Sequence, residues 1–305
     1  DSFGHESFMK QAAQEFPNVQ FCHATGTSGK RAGIANFHNA FASIYEGRYL
    51  AGIAAGMKLN EMIKAGKIKA EEAVIGYVGA YTYAEVISGM TSFFLGARSV
   101  CETATMKVRY TGSWYDQGKE QEAATALIEK DKCVLISQHA DSLGAPTACE
   151  LAGVPNVSYN GSTYSAGKNT FIVSSAINWA PYFQYIIECA VKGQAIDSDW
   201  CGDIATNSVV LSGINEGVAA EGTEAKMKEA IDAFKAGTLK VFATDKFTVE
   251  GKKLDQYLAD VDGDFKGETN VVHDGYFDES NAKDFRSAPY FDIIIDGVTN
   301  LNKEV

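Results

Sequence analysis

Apolar positions recur along this chain at two spacings, one helical and one strand-like, and the alternation between them lays out its elements. Over 6–16, Phe8, Met9, Ala12 and Ala13 share one helical face, and Pro17 ends the run. Strand-like runs at 19–22 and 36–41 follow, then a long helix at 46–65 whose Ala51, Gly52, Ala54, Ala55 and Gly56 allow close packing on a neighbour. These small residues do not make a membrane dimer motif, because Arg48 and Lys58 bracket too short a segment. After a charged connector at 67–72, a regular series begins: strand 74–79 with helix 83–96, strand 105–110 with helix 116–130, strand 133–137 with helix 145–152, and a fourth strand at 154–159. Strands alternating with helices at this interval predict a parallel sheet with right-handed crossovers, so all four strand ends point the same way. Beyond the series, 171–174 reads as a return strand, and 178–191 as a helix with Pro181 near its start and Gly193 at its end. A strand at 209–211 and a Lys- and Glu-rich surface helix at 221–236 come next, and from 246 the chain is polar and turn-rich.

The second strand end of the series concentrates the candidate chemistry. Val108 to Tyr110 ends a strand, Ser113-x-x-Asp116 offers a capping box to the following helix, and Trp114 and Tyr115 are left between the two elements. Open α/β sheets place ligands at this carboxyl end. The other three strand ends carry Ala80-Tyr81-Thr82-Tyr83 with Glu85, Gln138-His139-Ala140-Asp141-Ser142, and Asn160-Gly161-Ser162-Thr163-Tyr164. Each mixes rings with hydrogen-bonding groups. Stacking on an aromatic face is worth about 1–3 kcal/mol per nucleobase, and amides and carboxylates then fix orientation in an apolar pocket.

Composition narrows the classes. With 305 residues, two domains are expected. The net charge of −12 argues against a duplex-binding surface, which needs clustered Lys and Arg. The uncharged run between Lys168 and Glu188 is interrupted by Asn169, Ser174, Ser175, Asn178, Pro181 and Gln184, so no membrane span is expected. Six scattered cysteines form no C-x-x-C pair and sit near no His at zinc spacing, so no metal site is assigned, and both disulfides and free thiols stay open. Asp260-Val261-Asp262-Gly263-Asp264 invites a calcium reading but lacks the twelve-residue spacing with a terminal Glu, which favours a solvated turn. The opening Asp1-Ser2-Phe3-Gly4-His5 is neither an initiator Met nor a signal segment, and suggests a processed or truncated product.

Catalysis finds little support. Asp116, His139 and Ser113 can be written as a triad, but no G-x-S-x-G elbow exists. Gly26-x-x-Gly29 before Lys30 lacks the phosphate-loop ending, and Gly76-x-x-Gly79 misses the dinucleotide fingerprint. A protein that is not an enzyme and carries no cofactor is expected.

The ordered series Gly76-Tyr77-Val78, Glu85-Val86-Ile87-Ser88-Gly89, Leu95-Gly96-Ala97, Ser113-Trp114-Tyr115-Asp116 with Lys119-Glu120, Gln138-His139-Ala140-Asp141-Ser142 and Asn178-Trp179-Ala180-Pro181-Tyr182 resembles the basic membrane protein family, also called the purine nucleoside receptor family. These are substrate-binding lipoproteins of ABC importers, and the similarity runs from about 3 to 242. The resemblance implies an α/β type I periplasmic-binding fold, two Rossmann-like lobes with a hinge and a ligand cleft. It places 1–72 and 176–196 in an N-terminal lobe whose first strand, helix and strand are missing, 73–175 and 197–245 in a C-terminal lobe, and 246–305 in an extension of unassigned placement. It implies an exported lipoprotein that binds a purine nucleoside or nucleobase and hands it to an ABC permease. Trp114 matches the position of one aromatic jaw of the family, and Tyr81, Glu85, His139, Asp141, Asn160 and Trp179 complete the expected ligand set. Two departures weaken the sugar anchor: Tyr159-Asn160-Gly161-Ser162 stands where nucleoside-binding members carry an Asp, and Asn178-Trp179 where they carry a Lys. A free nucleobase or another small aromatic heterocycle is therefore an alternative, as is a surface-anchored signalling or adhesion protein on the same fold.

Overall fold

A computed structural model describes residues 4–302. Two sheets organise the chain. The smaller is parallel and runs β1 (Phe21–Ala24), β2 (Phe37–Ala42), β8 (Asp199–Gly202), with α1 (Glu6–Glu15) and α6 (Ala180–Lys192) packed on it. The larger contains β3 (Val74–Gly79), β4 (Thr105–Tyr110), β5 (Leu135–His139), β6 (Asn156–Tyr159), β7 (Phe171–Ile177), β9 (Val209–Leu211) and β14 (Val298–Asn300), in the order β14-β4-β3-β5-β6-β7-β9. Helices α3 (Ala84–Arg98), α4 (Gln117–Glu129) and α5 (Gly144–Ala152) make the crossovers of the expected βα series. β7 pairs parallel with β6 instead of returning, and β9 is the antiparallel strand. An apolar run marks a strand but carries no direction; the direction comes from the turns at 163–171 that carry the chain back along the sheet.

Helix α2 (Ile44–Lys64) packs on α3 and on β7 of the large sheet, so the chain changes sheets at Ser43 and not at the charged connector 67–72. The reason is steric. A Cβ on Gly52 would lie 2.0 Å from the Phe93 carbonyl oxygen and one on Gly96 2.1 Å from that of Tyr49, so the two helices meet backbone to backbone. Three crossing segments thus join the sheets: Ser43, Asn178–Trp179, and 203–208, the last lying beyond β8 and not at the expected boundary of 197. They are bonded side by side, with Ser43 N–H donating to Gly202 O (2.7 Å), Asn178 N–H to Ser208 O (2.8 Å) and Ile204 N–H to Glu46 Oε2 (2.9 Å).

The segment after α7 (Thr223–Lys235) is less polar in effect than in sequence. It forms two small hairpins, β10 (Leu258–Ala259) with β11 (Thr269–Asn270) and β12 (Val272–His273) with β13 (Tyr276–Phe277), and buries Phe247, Val271, Phe277, Phe291 and Ile295. Phe291 stacks on Phe242 at 4.3 Å and meets Phe277 edge-on at 4.8 Å. Coming singly or in runs of two or three between turns, these residues give no sustained period, yet each such burial contributes about 1.5–3 kcal/mol. All six cysteines are free thiols. Among the described residues no helix is long and apolar enough to cross a membrane.

Candidate functional site

Parallel pairing brings the four strand ends level. Gly79 pairs with both Tyr110 and His139, and Tyr159 lies one strand further along. Their loops are then stitched together: Gly112 N–H donates to Ala80 O (2.8 Å), Asp141 N–H to Trp114 O (2.8 Å), and Asn160 Nδ2 to Asp141 Oδ1 (3.0 Å). Asn160 holds φ +66°, a left-handed conformation that Asn tolerates better than most residues. One oxygen of the Asp141 carboxylate is therefore used inside the protein.

The aromatic residues gather at one spot. Tyr81 and Tyr83 stack at 4.8 Å and 10°, and Trp114 meets Tyr81 edge-on at 5.3 Å and Tyr83 at 6.2 Å. Tyr83 is 43% exposed and the neighbouring Tyr115 66%. Tyr83 was not among the expected ligand residues, although its spacing of two from Tyr81 is the signal that puts both rings on one side. The helix cap beside Trp114 differs from expectation. Asp116, not Ser113, caps α4 by accepting Lys119 N–H (3.0 Å), while Glu120 reaches back to Asp116 N–H and across to Ser142 N–H (both 3.2 Å).

Beneath the loops lies a buried polar layer. His139 was expected to bond a ligand, but its ring is 1% exposed, lies 4.0 Å from the Tyr159 ring, and has both nitrogens buried without a hydrogen-bond partner. Gly89 makes room for it, since a Cβ there would stand 2.7 Å from Nδ1. Burial lowers its pKa and keeps it neutral, and Glu85 Oε1 is 3.9 Å away, too far for a hydrogen bond. Below it, the Arg48 guanidinium donates to Ser137 Oγ (2.7 Å), Ser158 O (3.0 Å) and Tyr77 Oη (3.2 Å), with the Phe93 ring centroid at 4.8 Å. In the sequence Arg48 stands out only as the bracket of a small-residue helix, and its place four before Gly52 on the same face is the available sign of its burial. Trp179 stands apart, in the second crossing segment against Phe41 at 6.4 Å.

Two other sequence readings find a local answer. The Gly26–Gly29 loop wraps an anion that is the chain's own: Thr27 N–H (3.2 Å) and Ser28 N–H (2.9 Å) donate to the Glu6 carboxylate. Asp260, Asp262 and Asp264 each bring an oxygen within 4.8 Å of the others, but Asp260 already accepts the amides of Gly263 (2.7 Å), Asp264 (3.2 Å) and Phe265 (3.1 Å), the bonding of a turn.

Comparison with known proteins agrees with this architecture. Residues 2–232 match the family model for PnrA-like ABC transporter substrate-binding proteins. A Haloferax volcanii ABC transporter protein described as glucose-binding is 34% identical over 202 residues, covering 66% of this chain and 48% of that one. A purine-binding protein of Brucella abortus is 35% identical over 182 residues, covering 60% and 47%. The chain thus spans about half the length of these curated relatives. In three dimensions, a solute-binding protein of an ABC transporter from Aeropyrum pernix K1 aligns with TM-score 0.65 at 15% identity, over 78% of this chain and 74% of the other.

Proposed function

The chain belongs to the PnrA-like family of ABC transporter substrate-binding proteins, which are solute-binding proteins and not enzymes, and on that premise we propose that it binds a purine nucleoside or nucleobase between its two lobes. The observation that carries this reading is the joined cluster of Tyr81, Tyr83 and Trp114 beside the Asp141–Asn160 pair at the level strand ends. A flat ring stacks on the aromatic cluster while the carboxylate and amide bond its edge or sugar. The purine-binding relative supports that ligand class. Binding energy biases the hinge at the three crossing segments toward a closed form. The protein is exported, works at the periplasmic or outer face of the cell membrane as a lipoprotein, and delivers its ligand to an ABC permease.

A sugar is the second reading, favoured by the glucose-binding description of a relative of nearly equal identity, since rings flanked by a carboxylate also suit sugar faces. A thermal-shift panel of nucleobases, nucleosides, riboflavin, sugars and amino acids separates the two. A purine response that Trp114→Ala weakens by roughly ten- to a hundredfold, the equivalent of one lost stack, supports the first. A response to sugars alone overturns it.

A further inference from the structure

The segment 260–287 touches the small lobe while both its flanks belong to the large one. Before it, Phe242 and Phe247 sit in the ring cluster with Tyr45 of α2. After it, β14 extends the large sheet beside β4, and Asn302 bonds both the N–H and the carbonyl of Tyr110 at 2.8 Å. Between these anchors, two arms reach across. On the first, Arg31 donates from Nε to Asp262 O (2.9 Å) and from Nη2 to Gly263 O (2.6 Å). On the second, Lys30 Nζ donates to Lys283 O (2.6 Å), Ser287 N–H to Asp199 Oδ1 (3.3 Å), and Asn39 Nδ2 to Ser287 Oγ (3.2 Å). The arms are tied to each other by Arg286 Nη1 and Asp260 Oδ2 at 3.7 Å.

The outer part of the seam they make is polar and exposed. It surrounds a cavity of about 320 Å³ lined by the charged Lys30, Arg31, Asp199 and Asp262 and by the apolar Val261 and Phe285. The Lys30 and Arg31 bonds to backbone carbonyls can exchange for water, unlike the buried Asn39–Ser287–Asp199 contacts and the apolar anchors on the large lobe. We propose that 260–287 is a strap that holds the small lobe at a set angle to the large one, a fourth link beside the three covalent crossings, so that opening of the lobes breaks the seam and closing remakes it. The idea rests on the two-lobe reading above but needs no ligand for its test.

Spin labels attached by a non-cysteine chemistry at Gln14 of α1 and Glu129 of α4, both exposed, report the distance between lobes in the ligand-free protein. Arg31 is a surface residue, so Arg31→Ala should fold, as should the double variant Lys30→Ala with Arg31→Ala. The expected result is a longer, broader distance distribution for both, with the more open population raised by roughly tenfold through loss of the charge-assisted bonds, and recovery in Arg31→Lys of part of the original distribution. A distribution unchanged in the double variant overturns the strap. Absence of purine binding by a protein whose variants open as expected would bear on the ligand reading and leave the strap standing.

Discussion

Arg48 shows what a single buried residue does here. It is fully buried and bonds groups of three neighbouring strands, and the rings of Tyr77, Phe93 and Tyr159 surround its guanidinium at 5.7, 4.8 and 5.5 Å. Truncating it strands those acceptors in a dry core and opens a cavity. Arg48→Ala should therefore cost about 3 kcal/mol, seen as a midpoint shift in chemical denaturation, with Arg48→Met costing less because it refills the volume. His139 invites a second experiment: its nitrogens make no hydrogen bond, but the ring fills a space already tight against Gly89 and Tyr159, so His139→Phe should destabilise by about 1–3 kcal/mol through overpacking. An unchanged denaturation midpoint would show that the site has room to spare.

At the scale of elements, the α2–α3 contact is the tightest. Gly96 faces the backbone of Tyr49, which cannot swing aside as a side chain would, so Gly96→Ala should force the helices apart at about 1–3 kcal/mol. Gly33, at φ +63° in open space, makes a control of a different kind, because Ala there meets no atom and pays only for the left-handed backbone. Thermal midpoints of the two variants should separate a contact effect from a dihedral one. The βα series around these helices was legible because strand and helix periods alternate cleanly. The passage of α2 to the large sheet was not, since an amphipathic pattern says that a face is buried and leaves open against which partner.

The whole molecule carries a pH dependence set by buried acids. Glu46 at the hinge and Glu279 in the C-terminal segment are pushed up to about 7, and Asp199 at the strap to about 6, each chiefly by desolvation. In the unfolded chain these groups release their protons nearer 4.5 and 3.8. Between those values the folded state binds more protons, so stability is greatest on the acid side and is lost as pH rises through 6 to 7. The thermal midpoint should fall on going from about pH 5.5 to about pH 8, and Asp199→Asn should flatten the slope. A midpoint that rises over this range would contradict the assignment.

By itself the sequence determined the alternation of strands and helices, the common direction of the four strand ends that this alternation imposes, and the identity of the aromatic and acidic residues in their loops, because these depend on element order and local spacing. Only the tertiary structure decided that Tyr83 joins Tyr81 and Trp114, that His139 is buried beneath the strand-end loops, that Trp179 belongs to a crossing segment, and that the C-terminal stretch bonds the small sheet as well as the large one. Each of those outcomes turns on which distant surfaces meet, and side-chain burial across such contacts leaves no period in the chain to read.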